Sequence, residues 1–132
     1  MTTMTRPTTV TEHPDLDPRD PLAIDTLLSD EERAVRDRVR RYVEERYAPR
    51  AAELFEQACF PREIARELGD LGVLGMHLNG YGCPGNSAVE YGLACLELEA
   101  GDTGLRTFVS VQGSLAMTAI RYSWRSRSSR AG

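Results

Sequence analysis

The chain has 132 residues, with sixteen arginines and no lysine set against twenty aspartates and glutamates, for a formal net charge of −4. Its 41% hydrophobic and 27% charged residues are the balance of one ordinary globular domain, large enough for a real core but short for a complete two-substrate enzyme. No apolar run approaches a membrane span, the N-terminal MTTMTRPTT has no apolar h-region, and Cys59, Cys83 and Cys95 form no C-x-x-C pair, so the sequence speaks against membrane insertion, secretion, a disulfide framework and structural zinc, and for the cytoplasm.

Residues 1–26 carry six threonines in the first eleven positions together with Pro7, Pro14, Pro18 and Pro21. Such a segment buries too little to offset its ordering entropy and reads as a flexible leader, although Leu22, Ile24, Leu27 and Leu28 could fold onto the body as a short turn. The domain proper is expected over residues 27–120. Ser29 to Glu32 spells a capping box, and Val35, Val39, Tyr42, Val43 and Tyr47 recur at helical spacing behind it. Pro49 ends that helix or starts a new turn, with Ala51 to Ala58 continuing helically.

Pro61 opens a second helix with Ile64, Leu68 and Leu71 as its apolar stripe, and Gly69 and Gly72 close it. After a glycine-rich stretch, Ser87 to Glu90 forms a second capping box. The helix it opens is apolar on nearly every side, which predicts a central place in a bundle, and Gly101 reads as its C′ residue. Asp102 caps a last helix reaching to about Ile120, with Leu105, Phe108, Val109, Leu115, Ala116 and Ile120 as its core contacts. No alternating strand pattern is evident, so the expected fold is an all-α antiparallel helical bundle with a flexible leader and an irregular C-terminal tail.

That tail stands apart in composition. The first 120 residues hold twelve arginines and all twenty acids, whereas residues 121–132 hold four arginines and no acid. So short a basic stretch supports at most weak, salt-sensitive contact with polyanions, and nucleic-acid binding is not expected.

Few residues invite chemistry. Gly80-Tyr81-Gly82-Cys83-Pro84-Gly85 matches G-x-G-x-x-G, but no strand precedes it and Pro84 removes an amide a phosphate would use, so it reads as an interhelical loop. His13 and His77 have no partners at ligand spacing, and no metal site is expected. On the last helix, Arg106, Ser110, Gly113/Ser114 and Met117 form a small polar stripe with a cation at one end. It would let another backbone or an elongated ligand approach closely, with Arg106 forked onto a carboxylate. The competing reading is a solvated face or a close helix contact with Arg106 paired to an aspartate.

Residues 60–117, FPREIARELGDLGVLGMHLNGYGCPGNSAVEYGLACLELEAGDTGLRTFVSVQGSLAM, resemble the N-terminal helical domain of the acyl-CoA dehydrogenases, most of all the glutaryl-CoA dehydrogenase branch. LLSDEERAVRDRVRRYVEERYAP is similar to the family's first helix. The resemblance implies longer homotetrameric enzymes, with a middle β-domain and a C-terminal helical domain, that bind FAD and an acyl-CoA. A glutamate base removes the α-proton while the β-hydride passes to the flavin. It implies that Arg106, Thr107 (where the family usually has serine) and Ser110 contact the distal carboxylate of the substrate. Neither the FAD-binding middle domain nor the catalytic glutamate is expected within these residues, and Glu90, Glu97 and Glu99 belong to a helix the family uses for packing. The chain by itself is therefore expected to be inactive; the alternative is a non-catalytic helical module that docks on a homologue or another protein. Where the family continues with Gly-Ser-Glu-Glu-Gln after Ala119-Ile120, this chain reads RYSWRSRSSRAG, which suggests a shifted reading frame or a truncated product.

Overall fold

The computed structural model describes residues 17, 18 and 20–128. Asp20 caps a 3-10 turn at Ile24–Leu27: its two carboxylate oxygens accept from the amides of Ile24 and Asp25, both at 2.8 Å. The expected short turn forms, but its apolar side chains do not anchor it, since Leu22 and Leu27 are 79% and 82% exposed. Arginines hold it instead. Arg33 donates to the Asp25 carbonyl at 2.9 Å and Arg36 pairs with the Asp25 carboxylate. The leader's first sixteen residues lie outside the described part.

Helix α1 (Asp30–Tyr42) starts where the capping box predicts, with Ser29 accepting from the Glu32 amide and Glu32 returning to the Ser29 amide. It does not stop before Pro49. A π turn (Val43–Tyr47) leads directly into α2 (Ala48–Glu56), with the Ala48 amide bonded to the Val43 carbonyl five residues back. Pro49 has no amide to give, and the widened turn makes room for a ring that would collide with the preceding turn of a regular helix. Helix α2 ends in a Schellman motif with Ala58 at its left-handed position, φ 46°. Helix α3 (Arg62–Asp70) ends the same way with Gly72, φ 81°: the Val73 amide reaches the Leu68 carbonyl and the Gly72 amide that of Gly69.

The glycine-rich stretch, expected as an interhelical loop, closes on itself in a minimal hairpin. Asn79–Gly80 (β1) pairs antiparallel with Cys83–Pro84 (β2), and Tyr81 and Gly82 between them both have positive φ, 56° and 81°. Two consecutive left-handed residues make the type I′ turn that matches the twist of a two-residue hairpin. So short a pairing leaves no alternation for a sequence to display.

Helix α4 (Ala88–Gly101) carries the second capping box, again with both hydrogen bonds made. It packs along α1, but it is not surrounded: Ala94, Glu97 and Leu98 are buried whereas Val89 and Leu96 are exposed. Gly101 is not a left-handed cap either. It lies in the last turn, where an added Cβ would come within 2.3 Å of Val43 Cγ1, so its role is close approach. Asp102 follows in extended conformation and caps α5 (Thr103–Val109) by accepting from the Leu105 amide at 3.0 Å.

A second π turn (Ser110–Ala116) joins α5 to α6 (Met117–Ser128). The helix thus continues past Ile120, replacing the irregular tail expected from residue 121, since Met117 to Ser128 contains no glycine or proline to stop it. The π turn also rephases the side chains. Leu105 and Val109 are buried as expected, but the next core position is Gly113, and Leu115, expected inside, is 69% exposed. Ile120 is 67% exposed because α6 has by then run beyond the core. That core is one cluster: Val35, Val39 and Tyr42 of α1, Val43 and Tyr47, Ile64 and Leu68 of α3, Val73 and Met76, Ala94 and Leu98 of α4, and Leu105 and Val109. Burying side chains of this size contributes about 1.5–3 kcal/mol each.

Candidate functional site: the seam between α4 and α5

The stripe singled out on the last helix faces a matching line on α4. Tyr91, Cys95 and Glu99 recur every fourth residue along α4; Arg106, Ser110 and Ser114 recur every fourth along α5 and the π turn, running the other way. The two end positions are bonded across the seam. Arg106 Nε donates to Glu99 Oε2 at 2.5 Å, and Ser114 Oγ donates to the Tyr91 hydroxyl oxygen at 2.7 Å. Between them, Ser110 turns its hydroxyl to the Thr107 carbonyl at 3.0 Å, and Cys95 is half-buried.

Charge is confined to one end. The Arg106 hydrogen bond, backed by Thr103 Oγ1 at 2.8 Å, holds the Glu99 carboxyl below its usual range, and Glu99 in turn raises Arg106. Burial pushes the Cys95 thiol and the Tyr91 phenol up, so the rest of the seam is neutral at physiological pH. Arg106 keeps about a third of its side chain exposed, 36% against 43% for Glu99. A guanidinium that bonds one carboxylate through Nε alone can exchange it for another at modest cost, because both ions keep part of their hydration.

The depth of the seam comes from the small residue next to Ser114. A Cβ on Gly113 would sit 2.7 Å from the Gly75 backbone nitrogen and 3.3 Å from Leu74 Cα, so the glycine admits that loop against the π turn. His77 follows, with Nε2 3.2 Å from Thr118 Oγ1 and its ring centroid 5.5 Å from that of Tyr91. Beyond lies an apolar groove of about 430 Å³ formed by Leu78, Tyr81, Cys83, Met117 and Ile120 with Arg121 at its rim.

The structure therefore places Arg106 and Ser110 on successive turns of one face, with Thr107 beside them and exposed. Sequence reasoning missed Glu99 as the partner of Arg106, and it missed Tyr91. The four-residue spacing of Tyr91, Cys95 and Glu99 was the available signal, masked by the apolar residues around it. The glycine motif forms the hairpin: Gly80, Gly82 and Gly85 all sit at positive φ, and a side chain on Gly85 would meet Asn79. Among the described residues no group of three His, Cys, Asp or Glu side chains is placed to hold a metal ion, and no helix is long and apolar enough to cross a membrane. His13 lies outside the described residues.

Fold and seam together define a small helical domain whose polar side runs along two antiparallel helices. The model of the acyl-CoA dehydrogenase N-terminal domain matches residues 29–123, and the chain belongs to that family. It is 56% identical to a glutaryl-CoA dehydrogenase from Mycobacterium smegmatis in complex with FADH2 (TM-score 0.73, covering 75% of this chain and 26% of that one). A further structure of glutaryl-CoA dehydrogenase from the same organism is 62% identical, with TM-score 0.74 over 77% of this chain and 27% of that one. The benzylmalonyl-CoA dehydrogenase of Aromatoleum aromaticum is 40% identical over 90 residues, 67% of this chain and 24% of that protein. The chain thus spans about a quarter of the length of these relatives.

Proposed function

We propose that this chain is the N-terminal helical domain of an FAD-dependent, glutaryl-CoA dehydrogenase-like enzyme that oxidises the α–β CH–CH bond of an acyl-CoA carrying a distal carboxylate. The observation that carries this reading is the Glu99–Arg106 pair: a half-exposed guanidinium already holding a carboxylate at the end of a neutral polar seam. In the proposed exchange the substrate's distal carboxylate replaces Glu99 on Arg106, and the hydroxyls of Ser110 and Thr107 complete its shell. These residues bind and orient; they move no proton. FAD, when bound, supplies the hydride acceptor. By the family reading, its contacts and the base that takes the α-proton are assigned to polypeptide outside the described residues. Alone, the 132-residue chain is proposed not to turn over. A cytoplasmic location and assembly into a homotetramer follow from the same family reading. The second reading, a non-catalytic docking module, draws on the exposed Leu96, Leu115 and Ile120.

The test is a chimera in which residues 29–120 replace the matching segment of the Mycobacterium smegmatis enzyme. Oxidation of glutaryl-CoA in preference to butyryl-CoA, with kcat/KM lowered about a hundredfold by Arg106→Gln, is the expected result. A flavin-loaded chimera that prefers butyryl-CoA would sink the assignment of Arg106.

A further inference from the structure

We infer that Tyr91 is a positioning residue for carboxylate recognition, acting through Ser114 as the fixed closure of the seam while Glu99 and Arg106 form its exchangeable one. This rests on the reading of Arg106 given above. The seam has two hydrogen-bonded closures, eight residues apart on each side, and they differ in kind. Glu99 and Arg106 are half-exposed and charged, so a competing carboxylate opens them. The Ser114–Tyr91 bond is neutral and part-buried, and it is backed by the His77 ring and by Gly113 set against the Leu74–Gly75 backbone. When Arg106 leaves Glu99, this bond still ties Ser114 to α4 at the far end of the seam, while Thr103 Oγ1 keeps its bond to Glu99 at the near end.

Its place on the π turn gives it leverage. Ser110 opens that turn, and its amide bonds to the Arg106 carbonyl. The rotation of the turn about the helix axis therefore sets where Arg106 and Ser110 point, and the rotation is fixed at Ser114. Wide turns of this kind are held by whatever their side chains bond to, because the backbone alone prefers the regular helix. Without the Tyr91 hydroxyl, Ser114 loses its acceptor, and Arg106 and Ser110 lose their common register before any substrate arrives.

The experiment uses the full 132-residue chain labelled with nitrogen-15, following the Arg106 Nε–H resonance during titration with glutaryl-CoA and, separately, butyryl-CoA. The wild-type resonance is expected to respond to glutaryl-CoA only. Tyr91→Phe and Ser114→Ala should each weaken the apparent Kd for glutaryl-CoA by about fivefold, the worth of one neutral hydrogen bond. The double variant should be no weaker than either single, and Ser114→Thr should restore binding. Val35→Ala, which lowers Tm from a remote part of the core, should leave the Kd where it was. A wild type that distinguishes the two thioesters together with an unchanged Kd in Tyr91→Phe overturns the positioning role alone. A wild type whose Arg106 ignores glutaryl-CoA overturns the reading of Arg106 and this inference with it.

Discussion

Arg40 and Glu97 lock α1 onto α4 with two parallel bonds, Nε to Oε2 at 3.0 Å and Nη2 to Oε1 at 2.7 Å, and Glu97 is 5% exposed. Removing one partner leaves a buried charge without its counter-ion. Arg40→Ala is therefore expected to cost about 3–5 kcal/mol, and replacing both by apolar residues of similar volume far less. Urea unfolding of the single and double variants checks this; an Arg40→Ala protein as stable as wild type would show that the pair holds nothing.

Glu67 sets the response to acid. It accepts from Arg50 at 2.7 Å and from the Tyr42 hydroxyl at 2.9 Å, and these bonds, the arginine's first, hold its carboxyl below the ordinary value of 4.5. With the folded value depressed, the stabilisation is fully present above pH 4.5 and is lost as the pH falls through the folded value. Denaturant midpoints at pH 7, 4 and 3 should fall in that order, and Glu67→Gln should flatten the decline. Glu90, held low by the Ser87 amide, leaves some slope behind. An unaltered slope in Glu67→Gln would count against the assignment.

Ala58 and Gly72 occupy equivalent cap positions, but only one of them is glycine. A left-handed alanine costs roughly 1–2 kcal/mol. Ala58→Gly is thus expected to raise Tm by several degrees, partly offset by the greater entropy of the unfolded chain. The change removes no other contact of the core, so a lower Tm would mean that the strain is not there.

At Gly113 the sign reverses. Gly113→Ala drives a Cβ to 2.7 Å from the Gly75 nitrogen and should destabilise by about 1–3 kcal/mol. Leu115→Ser, two residues on, removes an exposed leucine and should stay within about 0.5 kcal/mol. Thermal melts of the two side by side would detect an exchange of their roles, which is the outcome a regular helix through this segment requires.

Incubation of the 132-residue chain with FAD followed by gel filtration is expected to give a protein peak without flavin absorbance, because the proposed reading assigns the flavin contacts to polypeptide outside these residues. A yellow peak would place a flavin site within these residues.

What the sequence disclosed was local. Both capping boxes and the Asp102 cap depend on residues three apart, and all three form. The Arg106–Ser110 spacing was equally legible. What stayed hidden depends on distance or phase. Glu97 was indistinguishable from a surface acid because its partner lies 57 residues away, and Glu99 and Tyr91 became part of the seam only when α4 and α5 packed. Leu115 was misplaced because a rule of 100° per residue fails across a π turn, and nothing in SVQGSLA announces that turn. The hairpin was overlooked because two-residue strands have no period.

The π turn at Ser110–Ala116 also makes this helix unusually sensitive to a change in length. A helix that holds one surplus residue has somewhere to lose it. Deleting a single residue within the turn would let the backbone relax into regular α geometry, and everything from Met117 onward would swing by about 100°. Met117 and Ile120 would leave the groove beside the hairpin. One codon would thus redraw the apolar flank, which makes this stretch a natural point for related chains to diverge in the shape of the cavity they help enclose.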